Sequence, residues 1–129
     1  MSIWIDQLSL GTGVIPDHDT AMDLSAIPWR QTRYPGVEIH FYASDRRTGR
    51  VVALIRMQPG HGYPAHRHRG AEDVLVLAGG YRDGLGAYRV GSFLHYEDGT
   101  EHAPVALDDP ESTACVLLAV AHEGILLLA

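Results

Sequence analysis

His66 and His68 are separated by a single residue in the stretch GHGYPAHRHRGAEDVLVLAG, residues 60–79. On a β-strand side chains alternate faces, so both imidazoles project to the same side. Glu72 follows after Arg69, Gly70 and Ala71, a length that lets the backbone turn and bring a carboxylate back to the two rings. A third imidazole, His102, arrives in YEDGTEHAP, where a glycine turn again leads into a strand. These four residues form a candidate metal-ligand set. Neutral imidazole suits Zn, Fe, Ni and Cu, and one carboxylate adds a charge that favours a divalent cation.

Three histidines and one glutamate leave open positions on an ion that prefers five or six ligands, but nearly close a tetrahedral zinc site. That difference sets the reaction class. Iron or manganese could bind a bidentate oxygen substrate and dioxygen, whereas zinc could be structural or could exchange Glu72 for water. The residue types leave the ion open among Zn, Fe, Mn and Ni, because one site takes several first-row ions according to affinity and availability. Tyr42, Tyr63, Arg56 and His95 are candidates for the groups around the ligands, and no catalytic acid or base is assigned.

The elements that must position these residues read as strands. Val37, Ile39, Phe41 and Ala43 alternate with Glu38, His40, Tyr42 and Ser44. After a turn at 45–49, Val51, Ala53, Ile55 and Met57 alternate in the same way, which is the signal of a β-hairpin. Gly60, Gly62 and Pro64 mark the next boundary, a third strand carries His66 and His68, and Val74 to Ala78 forms a fourth. If Glu72 points inward, Val74 and Val76 share its face while Leu75 and Leu77 point outward, so both faces are apolar and the outer one needs a cover. Tyr81–Asp83 and Ala87–Val90 flank a turn at 84–86, Ser92–Tyr96 runs into the Asp98-Gly99 turn, and ACVLLAV and ILLLA are two further strands. Many short strands with glycine-rich turns point to an all-β sandwich or barrel.

The spacing also resembles the cupins. Their first motif, G-x5-H-x-H-x3/4-E-x6-G, is filled at every fixed position by Gly60, His66, His68, Glu72 and Gly79. Their second, G-x5-P-x-G-x2-H-x3-N, is met by Gly91, Gly99 and His102, with Glu97 at the proline position and Ala106 at the asparagine position. From about Trp29 to the end, and most narrowly in HRHRGAEDVLVLAGGYRDGLGAYRVGSFLHY, the chain is similar to the ChrR-like cupins, named after an anti-sigma factor whose C-terminal half is such a domain. The resemblance implies a double-stranded β-helix, the jelly-roll cupin barrel, with its metal inside the barrel mouth. It implies zinc by way of the ChrR domain, or iron, nickel or manganese by way of the enzymatic cupins.

The rest of the sequence bounds the function. A chain of 129 residues, 46% hydrophobic and 20% charged, has the composition of one folded domain. Residues 1–28 read as an irregular arm with one short helix or strand, the helical reading being one or two turns over Thr20 to Ala26 with Asp19 or Thr20 as the cap; anchored by Trp4 and Trp29, the arm packs on the barrel or on a partner subunit, and residues 29–129 form the barrel domain. A net charge of −6 disfavours nucleic acid. No signal peptide or membrane span is read, and the lone Cys115 in an apolar run reads as an inert buried thiol, consistent with a cytoplasmic location. The doubly apolar strands favour a homodimer.

Three functions follow. The first is a metal-dependent dioxygenase-type enzyme acting on a small oxygenated substrate such as a diketone or an enol. The second is a zinc-binding sensor or ligand-binding module without catalysis, as the ChrR resemblance implies. In that family an N-terminal zinc-binding half grips a sigma factor, but here the first hundred residues contain no cysteine and no HxxxCxxC pattern, so sigma-factor binding is not expected. The third, a structural cupin that has lost its metal, ranks last, because burying three imidazoles and a carboxylate without a partner costs several kcal/mol.

Overall fold

The computed structural model describes residues 23–128. Trp4 and most of the expected arm, with the cap sites Asp19 and Thr20, lie outside the described residues. At the arm's end a short 3-10 turn forms at Leu24–Ala26, where the Asp23 side chain accepts from the Ser25 N–H at 3.0 Å. Trp29 is half-buried. Its indole N–H donates to the Leu24 carbonyl at 2.9 Å, and the Arg56 guanidinium lies 4.5 Å over its ring.

The described residues form twelve strands. The alternating hairpin is β2 (Val37–Asp45) and β3 (Arg50–Met57), preceded by β1 (Arg30–Gln31). The two halves of the first motif are β4 (His66–His68) and β5 (Glu72–Ala78), and the next hairpin is β6 (Gly80–Asp83) and β7 (Gly86–Arg89). The second motif spans β8 (Phe93–Tyr96) and β9 (Glu101–His102). The chain then closes with β10 (Val105–Ala106), β11 (Cys115–Ala121) and β12 (Ile125–Leu127). Six strands form one sheet in the order β1-β2-β3-β11-β5-β8, and two three-stranded sheets, β10-β6-β7 and β12-β4-β9, complete the fold.

The architecture is an all-β jelly roll, but its ladders stay in three sheets rather than closing into one hydrogen-bonded barrel. Pro64 and Pro104 have no N–H to donate, and among the described residues a single bridge, Gly62 to Val105, continues the pairing between the two small sheets. The core draws on Val37, Met57, Val74, Val76 and Leu117 of the large sheet and on Tyr81 and Ala106 of a small one. Burying each such aliphatic side chain contributes about 1.5–3 kcal/mol.

Strand parity holds in β5. Glu72, Val74 and Val76 are buried while Leu75 and Leu77 are half-buried. Beside them on the outer face Phe93, the register partner of Leu75, is 67% exposed. Gly79 ends β5 with a φ of 61°, and a Cβ there would stand 2.5 Å from the Ala114 carbonyl oxygen, so the last fixed glycine of the first motif is a packing requirement.

Candidate metal centre

Register brings the distant histidine to the local pair. In the β4–β9 ladder His66 lies directly opposite His102, and Ile125 of β12 lies opposite His68 on the other side. The turn between β4 and β5 passes through Gly70, whose φ of 70° suits glycine and whose N–H donates to the Asp98 carboxylate at 3.0 Å. It carries Glu72 into the large sheet, facing the rings. All four residues are buried, and the nitrogens of His66, His68 and His102 lie within 4.8 Å of one another. Glu72 stands beside this triad, its Oε2 3.5 Å from His68 Nε2.

The hydrogen bonds fix which nitrogens are free. His66 Nδ1 lies 2.8 Å from the Pro64 carbonyl oxygen, which can only accept, so Nδ1 carries the proton. His102 Nδ1 lies 2.8 Å from Asp83 Oδ2. Asp83 also accepts from the N–H groups of Leu85 and Gly86 and the hydroxyls of Tyr88 and Tyr96, so it acts as an ionised carboxylate and His102 donates. Each Nε2 is therefore a bare lone pair, and the two face each other at 3.0 Å. Lone pairs this close repel unless a cation lies against both. Two nitrogens bound about 2.1 Å from one ion sit about 3.0–3.4 Å apart for angles between square and tetrahedral. His68 adds a second sign, because both of its ring nitrogens are buried without a hydrogen-bond partner. The donor set fits a divalent transition metal.

Burial governs the protonation of the site. It lowers the pKa of His66 and, reinforced by His102 and His66, brings that of His68 down to about 4. Both shifts favour the neutral imidazole that a metal ligand requires. Burial, with a smaller contribution from the neighbouring Asp73 charge, raises Glu72 to about 7. Burial also pushes Asp83 upward, but the hydrogen bonds from His102, Leu85 and Tyr96 outweigh it and leave its carboxyl below the usual range. Cys115 is buried in the core, its thiol pushed up to about 12.

Of the four candidates for the groups around the ligands, Tyr63 alone borders the site, its ring edge-on to His66 with centroids 5.7 Å apart. Tyr42 is exposed and stands edge-on to His40, Arg56 pairs with Glu38 at 2.7 Å, and His95 lies on the surface against Asp73. The sequence reading missed Asp83 and the tyrosine pair that reaches it through Tyr96. Tyr81 and Tyr96 meet hydroxyl to hydroxyl at 2.5 Å, and Tyr96 donates to Asp83 at 2.9 Å. One signal was present: Tyr81 and Asp83 are two apart on β6 and so share a face.

The site opens onto a cavity of about 160 Å³ between the sheets, whose wall includes His66, Glu72 and His102. A buried metal-ligand cluster at the wall of an apolar cavity can hold and polarise a small molecule.

Comparison with known proteins agrees with the fold. A model of the ChrR cupin-like domain matches residues 17–122. Among solved structures, a chain from the complex of Rhodobacter sphaeroides SigE with the anti-sigma ChrR is 29% identical with a TM-score of 0.65; the match covers 77% of this chain and 50% of that one, so this chain spans half the length of that relative. The polyketide cyclase RemF of Streptomyces resistomycificus is 18% identical, with a TM-score of 0.61 and 85% of each chain covered. A putative acetylacetone dioxygenase from Methylibium petroleiphilum is 10% identical, with a TM-score of 0.64, 83% of this chain and 79% of that one covered. No curated protein matches the chain. Motifs, fold and family model agree, and the chain belongs to the ChrR cupin-like domain family.

Proposed function

We propose that the chain is a metal-dependent cupin enzyme of dioxygenase type, in which His66, His68, Glu72 and His102 hold one divalent transition metal beside a small oxygenated substrate such as a diketone or an enol. The observation that carries the reading is that three of these residues are themselves part of a cavity wall. A purely structural site is closed by its ligands, whereas this one borders space for a small molecule. When bound, the ion supplies a Lewis acid that polarises and orders a substrate oxygen. Residues of the chain supply the surroundings. Asp83 holds the His102 proton on Nδ1, the apolar wall excludes water, and burial keeps the Tyr63 phenol protonated as a donor for a substrate oxygen.

A fold shared with a putative acetylacetone dioxygenase supports this reading, and the 29% identity to a chain of the SigE–ChrR complex supports a second, a zinc-binding sensor without catalysis. Elemental analysis of protein prepared without chelator or metal-affinity tag separates them. One iron, manganese or nickel per chain with oxygen uptake on a diketone panel bears out the enzyme. One zinc with no turnover moves the assignment to the sensor.

The exposed Phe93, Val90 and Leu85 support a homodimer as the functional form. The similarity to the chain of the SigE complex covers half of that chain and assigns no sigma factor to this one. The unpaired thiol of Cys115 fits a cytoplasmic setting, and among the described residues no helix is long and apolar enough to cross a membrane.

A further inference from the structure

The cavity in front of the metal residues has a wall whose chemistry selects. Away from the ligands it is formed by aliphatic and aromatic side chains, among them Ile39, Ile55, Met57, Val74 and Leu117. Among the described residues no arginine, aspartate, serine, threonine, asparagine or glutamine side chain lines it. Its polar groups outside the ligand set are two tyrosines, and the Tyr81 hydroxyl is already engaged with Tyr96. A sugar or polyol entering here would leave its hydroxyls unpaired, each weakening binding by roughly an order of magnitude. A carboxylate or phosphate would meet no cation except the ion itself.

The space exists because side chains shrink along β11. Its inward face runs Cys115, Leu117, Ala119, Ala121, and Ala119 lies beside Ala53 of β3 in register. All three alanines are buried and line the cavity. Phe41, opposite Ala53 in the β2–β3 ladder, also lines it yet remains 44% exposed, which makes an apolar entrance.

We propose that this site takes an uncharged, chiefly hydrocarbon molecule with a single oxygen-based metal-binding head, its tail lying over Ala53, Ala119 and Ala121 and its entry passing Phe41. The assignment rests on the metal reading above and adds the tail to it. It excludes sugars, sugar acids and dicarboxylates as substrates, and it makes the alanine row the determinant of tail size.

A series of hydroxamic acids with one head and different tails tests this on the zinc-loaded protein by calorimetry. Affinity is expected to rise about fourfold per methylene from acetohydroxamic to hexanohydroxamic acid. Succinohydroxamic acid, whose tail ends in a carboxylate, should bind at least tenfold more weakly than its alkyl counterpart of equal length. In Ala119→Leu, and in the milder Ala53→Val, metal content should stay at one per chain while the preference for longer tails falls away. Equal affinity for all tails, or preference for the charged one, in protein with full metal overturns the cavity assignment and leaves the metal reading intact. If the protein takes up no metal, thermal shifts with 2-hexanone and 2-octanone decide. Shifts that grow with the tail support the cavity and overturn the metal reading, and their absence overturns both.

Discussion

Asp83 on β6 reaches His102 on β9 at 2.8 Å and so ties the two small sheets together behind the metal residues. The carboxylate serves the proposed ligand His102 through its ring. By holding the Nδ1 proton it leaves Nε2 free and makes the ring a stronger donor.

Replacing Asp83 should therefore weaken metal binding without deleting a ligand. In Asp83→Asn the amide would have to present an N–H to one of several donors. Metal affinity is expected to fall roughly 10- to 100-fold, read by competition with a chromophoric chelator. Unchanged affinity would mean that His102 takes its tautomer without help.

His68 offers two buried nitrogens that no protein group satisfies, so its removal should cost the centre its ion. His68→Ala is expected to lose stoichiometric metal on elemental analysis while keeping a folded circular-dichroism spectrum. His122→Ala, which removes a surface ring paired with Asp73, should retain one equivalent. A His68 variant that keeps its full metal would overturn the ligand set.

Glu72 and His68 give the metal-free protein opposite responses to pH. Glu72 is raised from 4.5 to about 7, so the folded state keeps a proton that the unfolded chain releases. That contribution is complete below about pH 4.5 and is lost as pH rises through 7. His68 is lowered from 6.5 to about 4, so its contribution is present above pH 6.5 and is lost as pH falls toward 4. Metal-free Glu72→Gln should accordingly melt above the parent protein at pH 8 and close to it at pH 4.5. In the parent protein, metal uptake at pH 6 should release close to one proton more than at pH 8, measured calorimetrically in buffers of different ionisation enthalpy. Equal release at both would take Glu72 out of the ligand set.

The outer face of β5 and β8 predicts self-association. Light scattering should give a mass near twice that of the chain at micromolar concentration, and Phe93→Glu should return it to one chain, since burying a new charge in an apolar contact costs several kcal/mol. A monomeric parent protein would leave Phe93 and Leu75 without the partner proposed for them.

Three of the four proposed ligands form a local pattern, two alternate positions on one strand, a turn and a carboxylate, whereas His102 stands 36 residues beyond His66 and is brought to it by the β4–β9 register. The hairpin of β2 and β3 was legible because apolar residues alternate along both strands and the turn residues stand between them. Asp83 was not legible in its role. Next to Gly84 it reads as a turn residue, and it is one, accepting from the Leu85 N–H at 2.8 Å; its second task depends on β9, a contact 19 residues away that no local period encodes. Ala106, at the position where the second motif carries asparagine, is fully buried and paired with Tyr81. The departure there is a core position in a β-ladder, which only the register reveals.

β4, which carries two of the three imidazoles, is a three-residue strand held by a three-residue strand on one side and a two-residue strand on the other. So few ladder bonds lower the cost of opening this sheet. Without an ion, the amides of Arg67 and His68 should be among the first in the described strands to exchange hydrogen with solvent. An ion gripping β4 and β9 from the inside would slow them together, making the shortest ladders open only as one unit.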